Sequence, residues 1–174
     1  MATLLLDALK NEGTHAISNI STRGAKPLVN GAILTGGNLD NGLLVELIAR
    51  DSEGNLQCKA WEGVNDFYIV ETVVEEQLQQ DLGEYDYKNF YNAEGEIVRL
   101  FVPEKFLRQE TSAYTVADGV TLALDLAVVY DTVAKEFVVG GTAGTGVVEV
   151  GTVVGIDTDF GYNAGATTIR VQYK

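Results

Sequence analysis

One cysteine and one histidine, Cys58 and His15, are the residues best suited to nucleophilic chemistry in this chain of 174 residues. Such chemistry needs a thiol or hydroxyl that is activated by an adjacent base or cation. Cys58 lies among the alternating apolar residues of a predicted strand, whereas His15 lies in an irregular N-terminal segment. The sequence therefore predicts a core cysteine and no catalytic centre.

Carboxylates are the most abundant reactive groups, with 25 Asp and Glu residues in the chain. Two suitably spaced carboxylates are enough for a glycosidase. An acidic surface brings carboxylates together without any function, however, so their number alone does not indicate an active site. We expect that the chain is not an enzyme and that it needs no cofactor.

Residues 157–163 form a group that could bind a cation, because Asp157, Asp159 and Asn163 surround Gly161. Oxygen ligands of this kind suit calcium. The segment lacks the spacing of a calcium loop and its closing glutamate, and Asp and Asn beside glycine are also typical of a turn between strands. We expect a turn and no metal, with calcium binding as the alternative.

The glycine-rich residues 140–146 invite comparison with a phosphate-binding loop. A P-loop needs a lysine followed by serine or threonine, and a dinucleotide site needs a helix directly after the glycines. Here the glycines lead into the apolar residues Val147 and Val148, which indicate a strand. A loop between two strands is therefore predicted.

The net charge of −13 excludes several classes of partner. Nucleic acid is disfavoured, because affinity for phosphates comes mostly from Lys and Arg. The N-terminus lacks the basic and apolar regions of a signal peptide, and no apolar run approaches the ~20 residues that span a bilayer. A single cysteine forms no internal disulfide. We expect synthesis in a reducing cytoplasm, with no membrane or nucleic-acid partner.

Residues 1–36 differ from the remainder in pattern and in charge. They contain Gly13, Gly24 and Pro27 and show no period of a helix or strand, apart from a possible helical turn over residues 4–10. Three cations against two acids give this segment +1 and leave −14 on the rest. An extended N-terminal arm is predicted, and deletion of residues 1–30 is expected to leave a folded body.

From residue 37 onward, the pattern is that of a mainly β protein. Apolar runs or alternations separated by Gly and Asp clusters predict strands, and Pro103 favours one turn of helix over residues 104–109. We predict a β-rich lobe over residues 37–112 and a small barrel or sandwich lobe over residues 113–174. The predicted strands occupy residues 43–49, 56–60, 67–74, 96–102, 120–130, 135–139, 147–156 and 167–173.

An acidic middle segment, residues 71–96, contains four aromatic residues in close succession. Tyr85, Tyr87, Phe90 and Tyr91 are candidates for contact with a neighbouring subunit. The alternative is a charged surface loop whose aromatic side chains pack inward, since much of any protein surface is apolar already.

The order of these features resembles the small decoration, or cement, proteins of tailed-bacteriophage capsids. The resemblance implies a non-enzymatic β protein that binds the outer face of an assembled shell as a homo-oligomer and stabilises it, and it brings no catalytic residues. It rests on the loose N-terminal segment with Ile-Ser-Thr-Arg-Gly at residues 20–24, on residues 40–47 and 99–102, on the acidic aromatic middle, and on Val-Val-Gly at residues 153–155.

The partner that the resemblance implies is the major capsid protein, on the exterior of the virion. An extended segment can grip such a shell by adding a strand to an exposed sheet edge. We expect Arg23, Gly24, Lys26 and Pro27 to make this contact. A tail-tube subunit is the nearest alternative, and a carbohydrate-binding module that uses Trp61 and the tyrosines as stacking platforms is a more distant one.

Overall fold

A computed structural model describes residues 16, 18–20, 26–28, 31–72, 90–158 and 167–174. Regular structure within these residues is entirely β, which confirms the predicted fold class, and none of them forms a helix that could span a membrane. The strands are β1 Ser18–Ile20, β2 Lys26–Pro27, β3 Ala32–Leu34, β4 Leu44–Ile48, β5 Gln57–Ala60, β6 Phe67–Val70, β7 Ile97–Val98, β8 Leu100–Val102, β9 Arg108–Thr111, β10 Tyr114–Val116, β11 Ala127–Asp131, β12 Glu136–Val139, β13 Val147–Asp157 and β14 Thr168–Tyr173.

The strands form two mixed sheets of seven strands each. The N-terminal sheet has the order β2-β8-β6-β4-β5-β3-β7, and the C-terminal sheet has the order β1-β9-β14-β13-β11-β12-β10. Most neighbours are antiparallel, with parallel pairs at β3–β5 and β10–β12. Neither sheet closes into a barrel, so the sandwich form of the prediction holds and the barrel form does not.

The predicted hairpin over residues 43–60 is present as β4 and β5. Leu47 pairs with Cys58 in an antiparallel register. Asp51 closes the turn, because its carboxylate Oδ1 accepts the backbone N–H groups of Glu53 and Asn55 at 2.9 and 2.8 Å. Asp in the first position of a turn makes such local bonds readily, which explains why this element is visible in the sequence.

The last two strands show why one glycine is required. Gly151 of β13 pairs with Tyr173 of β14, and a Cβ built on Gly151 would lie 2.3 Å from the backbone oxygen of Gln172. Any larger residue would therefore push the two strands apart. In β14, Ile169 and Val171 are fully buried, as the alternation predicts.

The main apolar core lies between the two sheets, and Tyr91 and Ala93 form a small second cluster. Fully buried side chains come from both sheets, which means that each sheet covers the apolar face of the other. An aromatic chain crosses the core: the Trp61 and Phe67 rings lie 4.7 Å apart, the Phe67 and Tyr173 rings 6.0 Å, and the Tyr130 and Phe137 rings 5.2 Å. Residues of both predicted lobes, 37–112 and 113–174, contribute side chains to this one core.

Strands β1, β2 and β3 lie within residues 1–36, the predicted extended arm, and they belong to the two sheets. β1 pairs with β9 in the C-terminal sheet, and β2 pairs with β8 in the N-terminal sheet. Ile20 of β1 is 4% exposed and belongs to the core. The described strands of this segment are extended as predicted, and long-range pairing holds them on the body.

The chain changes sheets between Val102 and Arg108, not at the predicted boundary after residue 112. The helical turn predicted for residues 104–109 is also wrong. The backbone N–H of Phe106 donates to the carbonyl oxygen of Tyr173 at 3.0 Å, and β9 begins at Arg108. Pairing with β14 supplies hydrogen bonds that outweigh the weak local preference for a helix after proline.

Candidate interaction surfaces

Two of the four predicted capsid-contact residues lie on an exposed sheet edge. Lys26 and Pro27 form β2, both are exposed, and β2 is the terminal strand of its sheet. The Lys26 ammonium forms an ion pair with Glu104. A proline fits an edge strand because it has no N–H to donate to a further neighbour. Arg23 and Gly24 lie outside the described residues.

Two of the four predicted subunit-contact residues are buried within the chain itself. Phe90 is 5% exposed and Tyr91 is 9% exposed. They therefore present no aromatic patch to a neighbour, and for these two residues the inward-packing alternative describes the structure. Tyr85 and Tyr87 lie outside the described residues.

Cys58 is the core cysteine that the sequence predicts. It is fully buried and unpaired, and burial raises the pKa of its thiol to about 12. Its thiolate is therefore suppressed at neutral pH, which is the opposite of what a nucleophile needs. His15 lies outside the described residues.

The two loops singled out in the sequence differ in how far the structure describes them. The glycine-rich residues 140–146 connect β12 to β13, and Gly144 forms a bridge to Val147, so the predicted loop between strands is confirmed. Of residues 157–163, Asp157 and Thr158 are described and the remainder is not. Among the described residues, no three His, Cys, Asp or Glu side chains converge as metal ligands.

A cleft of about 480 Å³ opens at one end of the sandwich. Its walls come from the loop between β5 and β6, the end of β8, the start of β13 and the end of the chain. Trp61 lies in its floor and is 4% exposed, with its indole N–H donated to the carbonyl oxygen of Asn65 at 2.8 Å. That ring is not available as a sugar-stacking platform. The cleft is lined by Trp61, Asn65, Asp66, Phe67, Pro103, Val148 and others.

The loop that forms one wall of this cleft is fixed by a buried carboxylate. Glu46 of β4 is 2% exposed. Its carboxylate accepts a hydrogen bond from the Asn65 side-chain amide at 3.3 Å and forms an ion pair with the Lys59 ammonium at 3.3 Å. A buried polar group needs such partners to offset the hydration that it loses. Through Asn65, Glu46 ties the loop between β5 and β6 to strand β4.

Three exposed apolar side chains project near this end. Val64 is 83% exposed, Val133 is 86% exposed and Phe106 is 66% exposed. The loops that carry the two valines meet, since a Cβ built on Gly63 would lie 3.3 Å from Thr132 Cγ2. The backbone N–H of Phe106 is hydrogen-bonded to Tyr173, and Tyr173 also lines the cleft. The end therefore combines a cleft with an apolar rim.

A buried polar network ties β1 to both sheets. The Gln109 side-chain amide donates to Ser18 Oγ at 3.1 Å and to the carbonyl oxygen of Gly42 at 2.7 Å, while its oxygen accepts the Tyr173 hydroxyl. Gly42 has a φ of 83°, and a Cβ there would lie 2.4 Å from Ser18 Oγ. These contacts leave room for glycine alone at position 42.

Glu71 completes this network and was not predicted as a site residue. Its carboxylate bonds with Ser18, and its Oε2 is buried with no hydrogen-bond partner among the described residues. Burial raises the pKa of Glu71 to about 7, and the bond with Ser18 opposes that shift. A signal existed in the sequence, because Glu71 shares the apolar face of a predicted strand with Phe67 and Ile69.

Comparison with known proteins settles the origin of the chain. A family model described as YonC prophage protein matches residues 11–174. The chain belongs to this family. A relative in Bacillus subtilis (strain 168), described as SPbeta prophage-derived uncharacterized protein YonC, is 32% identical over 123 residues. The matched region covers 70% of this chain and 66% of the relative, and no solved structure matches.

Membership of the YonC prophage family confirms the phage part of the resemblance seen in the sequence. The protein comes from a bacteriophage or prophage genome. The alignment with the Bacillus relative spans just under two thirds of that protein's length. The chain is therefore of phage origin and folds as an all-β sandwich, a combination that makes a structural role in a phage plausible.

Proposed function

We propose that this YonC-family protein is a non-enzymatic structural protein of the virion that binds the outer surface of the phage capsid and stabilises it. The observation that carries the proposal is membership of a prophage family by a chain that folds as an all-β sandwich. Support also comes from its chemistry, since the lone cysteine is buried and Trp61, the first candidate for stacking on a sugar, packs inward.

The edge strand β2 is the surface through which we expect the protein to contact the particle. It pairs with β8 on one side, and no described strand covers its other side. A segment of the major capsid protein can dock along this open edge. Pro27 has no N–H to donate there, so the contact depends on carbonyl acceptors and on side chains, with Lys26 as the cation. Many copies on one particle would gain from high local concentration, so each contact can be weak.

Charge supports this choice of surface. The chain carries −13 in total, and residues 1–36 are the segment that departs from this excess of acid. Lys26 is exposed and its partner Glu104 is itself partly exposed, so the ion pair is open to exchange with a carboxylate of the shell. Approach by way of β2 therefore meets less repulsion than approach by the acidic body.

The proposal also includes a partner, a location and an assembly state. The partner is the major capsid protein, the place is the exterior of the virion, and synthesis takes place in the host cytoplasm. The protein acts as a homo-oligomer without cofactor, nucleic acid or membrane. A tail-tube role would instead require copies that stack on one another through heterologous contacts.

A pelleting assay tests the role of β2. Particles that lack the protein are mixed with purified wild-type protein, Lys26→Glu or Lys135→Glu, and sedimented. Lys135 is an exposed lysine in the turn between β11 and β12, so its reversal matches the charge change at a different place. We expect Lys26→Glu to bind at least ~5-fold more weakly than the other two proteins at low salt, where screening is least. Equal binding of the two variants would show that β2 is not the contact.

A further inference from the structure

Phe106 is an exposed aromatic residue in a backbone conformation that favours glycine. Its φ is 71°, and its side chain is 66% exposed. A bulky residue in this region is strained, and exposure of the ring brings no compensating burial. Lys105 lies against the same ring, with its ammonium 5.4 Å from the ring centre. The turn therefore presents a cationic and aromatic knob to solvent.

The cleft beside this knob has the complementary character. Phe67 and Val148 supply apolar surface, and Asp66 and Glu149 supply acidic groups at the same site. Its volume of about 480 Å³ exceeds the space that one phenylalanine side chain needs. The Glu149 carboxylate is already paired with Lys174, whereas Asp66 has no ion-pair partner in the described part of the chain.

Knob and cleft lie at the same end of one molecule. The backbone N–H of Phe106 donates to the carbonyl of Tyr173 at 3.0 Å, and Tyr173 lines the cleft. A two-fold interface requires this arrangement, because one surface patch must contain both the inserting group and its receptor. We propose that a second copy of this chain docks here, so that Phe106 of each copy enters the cleft of the other and Lys105 meets Asp66.

Val64 and Val133 fit the rim of such a contact. They are the two most exposed large apolar side chains among the described residues, and their loops adjoin the cleft. Burial of scattered rim residues around a central aromatic anchor is the usual anatomy of an interface. The contact is small, so we expect a reversible dimer that forms at roughly 10–100 μM.

The inference does not depend on capsid binding. A protein that dimerises through this end but never binds particles would keep the inference and overturn the proposed function. A protein that binds particles without this two-fold contact would do the reverse. The two proposals therefore fail separately.

Sedimentation-velocity ultracentrifugation of the full chain over a range of concentrations tests the anchor. Phe106→Gly removes the ring and relieves the positive φ, so it should fold at least as stably as wild type while weakening the dimer at least ~30-fold. Asp125→Gly is the matched control: Asp125 has a φ of 64°, is exposed, and donates its N–H to Val153, further along β13 from the cleft. It should dimerise as wild type does. A wild-type chain that stays monomeric, or a Phe106→Gly chain that dimerises equally well, would overturn the proposal.

A charge exchange tests the pairing independently of backbone strain. Lys105→Glu and Asp66→Lys should each weaken the dimer, because each places like charges opposite one another twice in a two-fold contact. The double variant should recover most of the wild-type affinity. Failure of the double variant to recover, with both single variants weakened, would mean that these residues do not meet across the interface.

Discussion

Glu71 lies against strands of both sheets, and its protonation state matters for how they join. It directly follows β6 of the N-terminal sheet. Its side chain forms a hydrogen bond with Ser18 of β1, and its negative charge helps to raise the pKa of Tyr173 in β14. Its Oε2 is buried and has no hydrogen-bond partner within the described residues. A buried carboxylate without full hydrogen bonding favours the neutral acid.

Stability is therefore expected to fall as the pH rises through neutrality. The pKa of Glu71 is about 7 in the folded chain against 4.5 in the unfolded chain, so the folded state binds more protons between these values. The stabilising contribution is fully present below pH 4.5 and is lost as the pH rises through 7; it amounts to roughly 3 kcal/mol. Tyr130 and Tyr173 do not titrate in this window, because burial raises the pKa of each above its ordinary value near 10.

Glu71→Gln keeps the shape of the side chain and removes its titration. Urea unfolding between pH 5 and pH 8 should show a decline in the wild type and a flatter profile in this variant. Glu53→Gln, in the exposed turn before β5, is the matched control and should retain the wild-type slope. The same slope in all three proteins would mean that Glu71 is not the group responsible.

Cys58 should be unreactive while the protein is folded. Its thiol is fully buried and burial raises the pKa to about 12, so both access and thiolate are lacking. Ellman's reagent should release almost no thiolate chromophore from the native chain and one equivalent in urea. Rapid reaction without denaturant would contradict the placement of Cys58 in the core.

At the scale of elements, strand β1 is short but carries a core residue. Ile20 is 4% exposed, whereas Ile97 on edge strand β7 is 67% exposed. Ile20→Ala should lower the free energy of unfolding by about 2–4 kcal/mol, because a buried side chain leaves a cavity. Ile97→Ala should change it by less than about 1 kcal/mol. Similar small losses for both would show that β1 is not docked on β9.

The same reasoning changes the expectation for a truncated chain. Removal of residues 1–30 deletes β1 and β2, which uncovers β9, β8 and the cavity left by Ile20. Such a truncation is expected to lower stability and solubility, not to leave an intact body. Removal of residues 1–15 takes away no described strand.

Elements with a strong local residue pattern could be predicted from the sequence. The β4–β5 hairpin and strands β11 to β14 have alternating residues and their own turn chemistry, so short-range information was enough. β1 and β2 have three and two residues, and they exist only because β9 and β8 offer pairing partners far along the chain. Neither propensity nor period can reveal a strand of that length.

The candidate sites depended even more on distant contacts. The cleft is lined by residues from four separate stretches of the chain: the loop around Trp61, the segment at Pro103, the start of β13 and the last two residues. The network around Gln109 joins residues 18, 42, 109 and 173. The sequence indicated Lys26 and Pro27 by composition alone, and their exposure on an edge strand became visible in the structure.

At the scale of the whole molecule, the sandwich separates two kinds of surface. One sheet edge, at β2, carries an exposed lysine on an otherwise acidic chain, and one end carries the apolar cleft and knob. A particle-bound protein needs a surface for the shell, and a homo-oligomer needs another for its neighbours. The two surfaces use different residues but lie next to one another, because Lys26 pairs with Val102 and Glu104 while Val102 and Pro103 line the cleft.

Cryo-electron microscopy of purified phage heads tests the central claim most directly. Particles are prepared from an induced lysogen that carries the gene and from one that lacks it, and the two head reconstructions are compared. The account predicts ordered extra density on the outer face of the first heads, large enough for a two-sheet sandwich, which returns when purified protein is added to the second. Heads that are identical with and without the gene, or density confined to the tail, would contradict it.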